Sequence, residues 1–99
     1  MIVVHVSVQT KVETASEFEQ KITNIQHMVL TMEGCLKNEW YRVPNAPQRY
    51  VAYGEFDTRE HFETYLKSDA VKRIGDELIP LLAAPPEFKH FEATIFDGQ

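Results

Sequence analysis

Proton transfer near neutral pH calls for an imidazole, so the four histidines, His5, His27, His61 and His90, are the first residues to consider. His5 sits in the β-branched run "IVVHVSV" beside Ser7. An imidazole there could accept a proton from a bound substrate, a step that works best in a dry pocket. Tyr65 is the one phenol in "HFETYLKSDAVKRIG", His61 to Gly75. Its pKa would have to fall about three units from about 10 to do the same work, so it is assigned to holding substrate. His27 and His61 fall on the polar sides of their helices and are given no site role. Glu87-x-x-His90 has the look of a ligand pair, but residues three apart on a strand point to opposite faces. Cys35 is the single cysteine, which rules out an intrachain disulfide or a thiolate cluster and leaves it as a small buried hydrophobe. The chain also lacks a Gly-rich loop to cradle phosphate, so no flavin, nucleotide or metal is expected.

These residues must be positioned by one domain spanning residues 1–99, since 99 residues leave no room for a separate catalytic module. Fifteen acidic against ten basic residues give a net charge of −5, the wrong sign for a nucleic-acid phosphate backbone or an anionic membrane. The start, "MIVVHVSVQT", lacks a basic leader, no apolar run is long enough to span a bilayer, and the single cysteine suits a reducing cytoplasm. A chain this short buries a modest share of its surface, so covering an apolar face by self-association would help it.

The hydrophobic period gives the element order. Ile2 to Gln9 alternates as a strand; Thr14-Ala15-Ser16-Glu17 reads as a capping box opening a helix with Phe18, Ile22, Ile25 and Val29 on one stripe, ending before Gly34. Cys35 to Val43 and Gln48 to Phe56 form an aromatic-rich hairpin around "PNAP". Asp57 with Glu60 starts a helix carrying Phe62, Tyr65 and Leu66 inward, and Ser68 caps a second piece with Val71, Ile74, Leu78 and Leu82. Pro80 should kink or end that piece, Pro85-Pro86 stops it, and Glu87 to Phe96 is the last strand. The order βαββα(α)β predicts an α+β, ferredoxin-like (split βαβ) fold: a four-stranded antiparallel sheet with helices on one face. Val4, Val6, Val8 and Tyr53 are then placed on the bare face, too apolar for water, which predicts a homodimer through the sheet faces, a dimeric α+β barrel.

The segments "EGCLKNEWYRVPNAPQRYVAYGEF" and "TREHFETYLKSDAVKRI" resemble the antibiotic biosynthesis monooxygenase family. The matching places are Gly34-Cys35, Tyr41-Arg42, Pro44, Glu55-Phe56 and Leu66-Lys67-Ser68, and the "APPE" stretch before the last strand fits too. The resemblance implies a small dimeric ferredoxin-like protein that oxidises quinols or polyketide phenols without metal or flavin. Histidines that many members carry beside Leu-x-Ser fall on Tyr65 and Ala70. The haem-degrading branch's Asn, Trp and ligating His fall on Ser7, Tyr65 and Gly75, so the iron would lack its proximal ligand there and neither haem degradation nor bound haem is expected. A Trp and a Tyr of the quinone-forming branch fall on Phe56 and Phe62.

The family's first-strand Asn points between sheet and helices, which puts His5 and Ser7 on that face. Leu36, Asn38 and Trp40 on the second strand and Ala52, Gly54 and Phe56 on the third are placed there as well, roofed by Phe62 and Tyr65. The expected site is therefore His5 as catalytic base, with Ser7, Asn38, Trp40, Phe56, Phe62 and Tyr65 holding a small apolar or aromatic ligand above the small Ala52 and Gly54. The function expected is cofactor-independent oxidation of a small phenolic or quinol metabolite by O2. The alternatives are a non-catalytic binding or dimerisation protein of the same fold, or an isomerase or detoxifying enzyme acting on a small carbonyl compound.

Overall fold

A computed structural model describes residues 1–97. Strand β1 covers Ile2–Gln9, helix α1 Ala15–Leu30, the hairpin β2 Cys35–Arg42 and β3 Arg49–Phe56, helices α2 Arg59–Leu66 and α3 Asp69–Leu78, and strand β4 Glu87–Glu92. Single 3₁₀ turns, Val12–Thr14 and Ile79–Leu81, precede α1 and follow α3. Pro80 lies in the second of these, so the regular helix ends just before it, as a residue without an amide hydrogen requires. Ser68 caps α3 by accepting from the Val71 N–H at 3.3 Å. The hairpin turn places Asn45 and Gln48 at positive φ, 60° and 68°.

Two of the expected caps differ. Thr14 makes no capping bond; its hydroxyl donates to the Leu81 carbonyl at 2.6 Å, tying the start of α1 to the turn after α3. The cap of α2 is Thr58, which accepts from the His61 N–H at 3.1 Å, and Asp57 engages the His61 ring instead. Thr14 is drawn to a carbonyl outside its own helix, a competition that local sequence does not reveal, and Asp57 to a side chain of α2 in place of a backbone amide.

The sheet is antiparallel throughout, in the order β2-β3-β1-β4, with the helices on one face. Cross-strand pairing divides the side chains into rows. On the helix-facing side run Cys35–Phe56–Ile2–Glu92, Asn38–Gly54–Val4–His90 and Trp40–Ala52–Val6–Phe88. Ile2, Val8, Ala52 and Phe56 are buried there against Phe18, Ile22, Ile25 and Val29 of α1, Phe62 of α2, and Leu78, Leu81 and Leu82. Val4 and Val6 pack on the same core, so the valines expected on the bare face are core residues. His5 and Ser7 consequently point the other way. A strand repeats every two residues, and an error of one inverts every assignment on it.

A register shift between Cys35 and Lys37 adds a second correction. The bulge turns Cys35 inward onto both parts of the core and leaves Leu36 exposed, so Leu36 is not on the site face. The last strand is also shorter than expected, ending at Glu92 rather than Phe96. Residues after it stay on the surface: Ile95 is 74% and Phe96 77% exposed. Leu66 of α2 is exposed as well, whereas Phe62 is buried.

Candidate functional site

The site-forming layer lies between the sheet and α1–α2. Five of the seven residues expected there, Asn38, Trp40, Phe56, Phe62 and Tyr65, do face it. Phe56 is the centre of an aromatic group, with ring centroids 5.4 Å from Phe62 and 5.0 Å from Tyr65. Trp40 stands edge-on to Phe18 of α1 at 5.5 Å. Such offset and edge contacts follow from the ring quadrupole and hold these side chains in single orientations.

His5 and Ser7 are not part of this layer. His5 pairs directly with Tyr53 and Ser7 with Val51, and both occupy the open face of the sheet. A shallow basin of about 450 Å³ there is lined by His5, Lys37, Glu39, Tyr41, Val51, Tyr53 and Glu55. Arg49 donates to the Ser7 hydroxyl at 3.3 Å and Tyr53 to Glu55 at 2.5 Å. The thickness of the sheet separates the His5 imidazole from anything held against Tyr65.

Tyr65 packs on both parts of the core, and burial pushes its phenol up to about 12, with Cys35 adding a smaller rise. It is therefore a hydrogen-bond donor and not a base at neutral pH. No protein group among the described residues hydrogen-bonds its hydroxyl. Cys35, raised by burial, keeps its proton too. On the opposite strand, Asn38 Oδ1 is buried without any partner, while the Asn38 backbone carbonyl accepts from Gln26 Nε2 at 2.7 Å. An unpaired buried amide oxygen costs about 1–3 kcal/mol, so its presence in a layer otherwise apolar is unusual. A Cβ built on Gly54, beside it, would meet Lys37 O, Asn38 Nδ2 and Val4 Cβ at 3.5–3.7 Å. Its three nearest neighbours are thus all sheet atoms, and no helix descends onto that position more closely.

Beyond these, the structure exposes features that pattern reading missed. A groove of about 390 Å³ runs between α1 and β2 past Trp40 and Gln26. At its end Glu19 accepts from the Tyr50 hydroxyl at 2.5 Å and from Arg42 at 2.9 Å, which lowers the carboxyl pKa. Tyr50 is raised, by burial first and Glu19 second. His61 is held between two carboxylates, Asp57 at 2.7 Å and Glu33 at 2.9 Å. His90 lies on the helix-facing side, its ring 4.8 Å from Phe62 in an edge contact, and Glu87 pairs with Ser7 on the other side. The rejected Glu87–His90 ligand pair is thus confirmed to be split across the sheet, and no cluster of three or more potential metal ligands exists among the described residues.

With this geometry in place, comparison with known proteins is decisive on one point. Residues 1–77 match the family model described as antibiotic biosynthesis monooxygenase. The chain belongs to the antibiotic biosynthesis monooxygenase family. Solved structures agree on the fold. One from Deinococcus radiodurans, provisionally named an antibiotic biosynthesis monooxygenase, superposes with a TM-score of 0.91 at 19% identity, covering 100% of this chain and 98% of that one. Another with the same provisional name, from Nitrosomonas europaea, gives 0.87 at 16% identity over 96% of this chain and 100% of that one. A conserved protein from Methanosarcina mazei gives 0.87 at 22% identity, covering 94% and 92%. At such identities the family's fold is shared and its site residues are not thereby transferred. No match is found among curated proteins.

Proposed function

We propose that this chain binds a small phenolic or quinol metabolite between its sheet and α2 and oxidises it with O2, without a cofactor. For a phenol the reaction balances as phenol plus O2 giving quinone plus water, the ring carbon losing its hydrogen and gaining a carbonyl oxygen; for a quinol it balances as hydroquinone plus O2 giving quinone plus H2O2, and in both O2 takes the electrons. The observation that carries this reading is the pair of polar groups without protein partners in an aromatic layer, the Tyr65 hydroxyl and Asn38 Oδ1. A protonated phenol can donate to an ionised substrate oxygen, and an amide oxygen can accept from a hydroxyl. The surrounding aromatic rings would exclude water and supply flat contact area. Isomerisation of a carbonyl compound loses its main support, because it relied on His5 bordering a closed pocket.

The same reading includes a homodimer. The chain exposes 6634 Å², against about 5,800 Å² for a compact monomer of this mass. Its radius of gyration is 13.9 Å, against about 12.6 Å. Every residue of β4 is exposed, with Phe88 at 61% and Phe91 at 50%. Phe91 pairs with Val3 on the open face, which gives sheet-to-sheet association an apolar element near its edge.

Oxygen uptake with 1,4-naphthohydroquinone is the direct test, with the uncatalysed oxidation rate subtracted. Protein-dependent uptake that falls in Tyr65→Phe supports the proposal. Tight anaerobic binding with no added uptake favours the non-catalytic binder of the same fold, and neither binding nor uptake removes both.

A further inference from the structure

The proposed oxidation lacks a proton acceptor: Tyr65 and Cys35 retain their protons, and His5 is across the sheet. One imidazole does face the correct side. His90 ends the row His90–Val4–Gly54–Asn38, which crosses all four strands on the helix-facing surface. Its backbone is about 14 Å from that of Asn38, three strand spacings. Between the two lie Val4 and the bare backbone of Gly54, and Phe62 stands against the imidazole edge at 4.8 Å. Helix α2 reaches this end through Phe62 against His90 and Arg59 paired with Glu92, yet β4 stays exposed along its whole length while Val4 is half-buried and Phe62 buried. The row thus presents an exposed imidazole at its open end, an apolar floor, and a buried unpaired acceptor at its closed end.

Resting on the proposed function above, we infer that His90 is the catalytic proton acceptor, and that the substrate is a flat ring carrying two hydroxyls, placed along this row. One hydroxyl donates to Asn38 Oδ1, which fixes the ring's orientation. The other faces His90: its O–H bond breaks, an N–H bond forms on the imidazole, and the electron pair stays on the substrate oxygen; as the ring then passes two electrons to O2 the second hydroxyl also gives up its proton, and both protons leave on the reduced oxygen, so that hydroquinone plus O2 becomes quinone plus H2O2. A ring with a single hydroxyl could satisfy either end but not both. The oxidised product has no hydroxyl to give Asn38, so it is held less firmly than the reduced substrate and leaves.

The four histidines occupy four separate places, which makes the test direct. With imidazole carbons labelled, 1,4-naphthohydroquinone is added anaerobically and the ring resonances are followed by NMR, alongside oxygen uptake in air. The expected result is that the His90 resonance moves and that of His5 does not. His90→Gln, a substitution at an exposed position, should lower turnover about a hundredfold or more. His5→Ala should stay within about twofold of wild type. Asn38→Leu should remove the preference for the hydroquinone over 1,4-dimethoxynaphthalene, expected at about tenfold or more, while Asn38→Asp, which keeps an acceptor oxygen, retains it. Wild-type turnover that survives His90→Gln overturns the role of His90 and leaves the proposed oxidation standing. A shift of His5 in place of His90, or binding with equal affinity for the dimethyl ether, overturns the placement. Absence of both binding and turnover in wild type overturns the proposed function itself.

Discussion

Two glycines should respond oppositely to the same added methyl group. Gly34, in the turn leading into β2, has φ = +84°, and a Cβ there would lie 2.5 Å from Asp57 Oδ1, His61 Cβ and His61 Nδ1. The two side-chain ends could swing away, but His61 Cβ is fixed to the first turn of α2 and cannot move without that helix. A left-handed conformation costs a Cβ-bearing residue roughly 1–2 kcal/mol, and overpacking adds about 1–3. Gly34→Ala should therefore cost about 2–5 kcal/mol, a fall in Tm of at least about 8 °C for a domain of this size. Gly75 lies inside α3, where a Cβ would meet only Ile79 Cδ1, at 3.7 Å. Gly75→Ala should then gain about 0.5–1 kcal/mol by reducing unfolded-chain freedom, raising Tm by about 2–8 °C. Thermal unfolding by circular dichroism measures both. A Gly34→Ala variant within about 2 °C of wild type, or a Gly75→Ala variant less stable than wild type, would refute this account of how the turn and α2 fit together. The consequence reaches the site, because this turn aims Cys35 and the strand carrying Asn38 and Trp40.

Three further outcomes are expected. Hydrogen bonding to Asp57, then the Asp57 and Glu33 charges, raises the His61 pKa above 6.5, and the same bond lowers Asp57 below 3.8. The His61 contribution is thus complete below its unfolded value and lost as pH rises through the raised one, and the Asp57 contribution is lost as pH falls through its lowered one. A Tm–pH series should show a plateau between them, and His61→Gln should remove the alkaline decline; an unchanged decline in that variant would exclude His61 as its source. Tyr65→Phe should leave Tm unchanged or higher, because its hydroxyl has no protein partner to lose, while weakening hydroquinone binding; a fall of more than about 5 °C would mean the hydroxyl is structurally bonded. Sedimentation at micromolar concentration should show a dimer that Phe91→Glu shifts toward monomer, and a wild-type monomer would remove the proposed association.

The element order was legible because hydrophobic period and turn chemistry are local. The stripe Phe18, Ile22, Ile25 and Val29, the cap at Ser68, the stop at Pro80 and the hairpin around Asn45 depend on neighbours within a turn or two, and the structure has them all. The aromatic part of the site was legible for a related reason: Trp40, Phe56, Phe62 and Tyr65 are large and apolar enough to require burial wherever the fold allowed it. What the sequence did not determine was parity. Val3, His5 and Ser7 alternate with Val4, Val6 and Val8 in a run apolar on both sides, and only the demand of the helices for an apolar floor decided that the even residues face them. The bulge at Cys35–Lys37 put Cys35, in place of Leu36, on the face that Asn38 and Trp40 share, which needs the partner strand to be seen. Thr14 donating to Leu81, and Glu33 closing on His61, join residues distant in sequence or separated by a strand pair. His90 shows the same limit most plainly. Its type was readable, but the face it occupies and its place in line with Asn38 were set by β1 and β3 lying between them, because cross-strand register is a property of the assembled sheet and of no single strand.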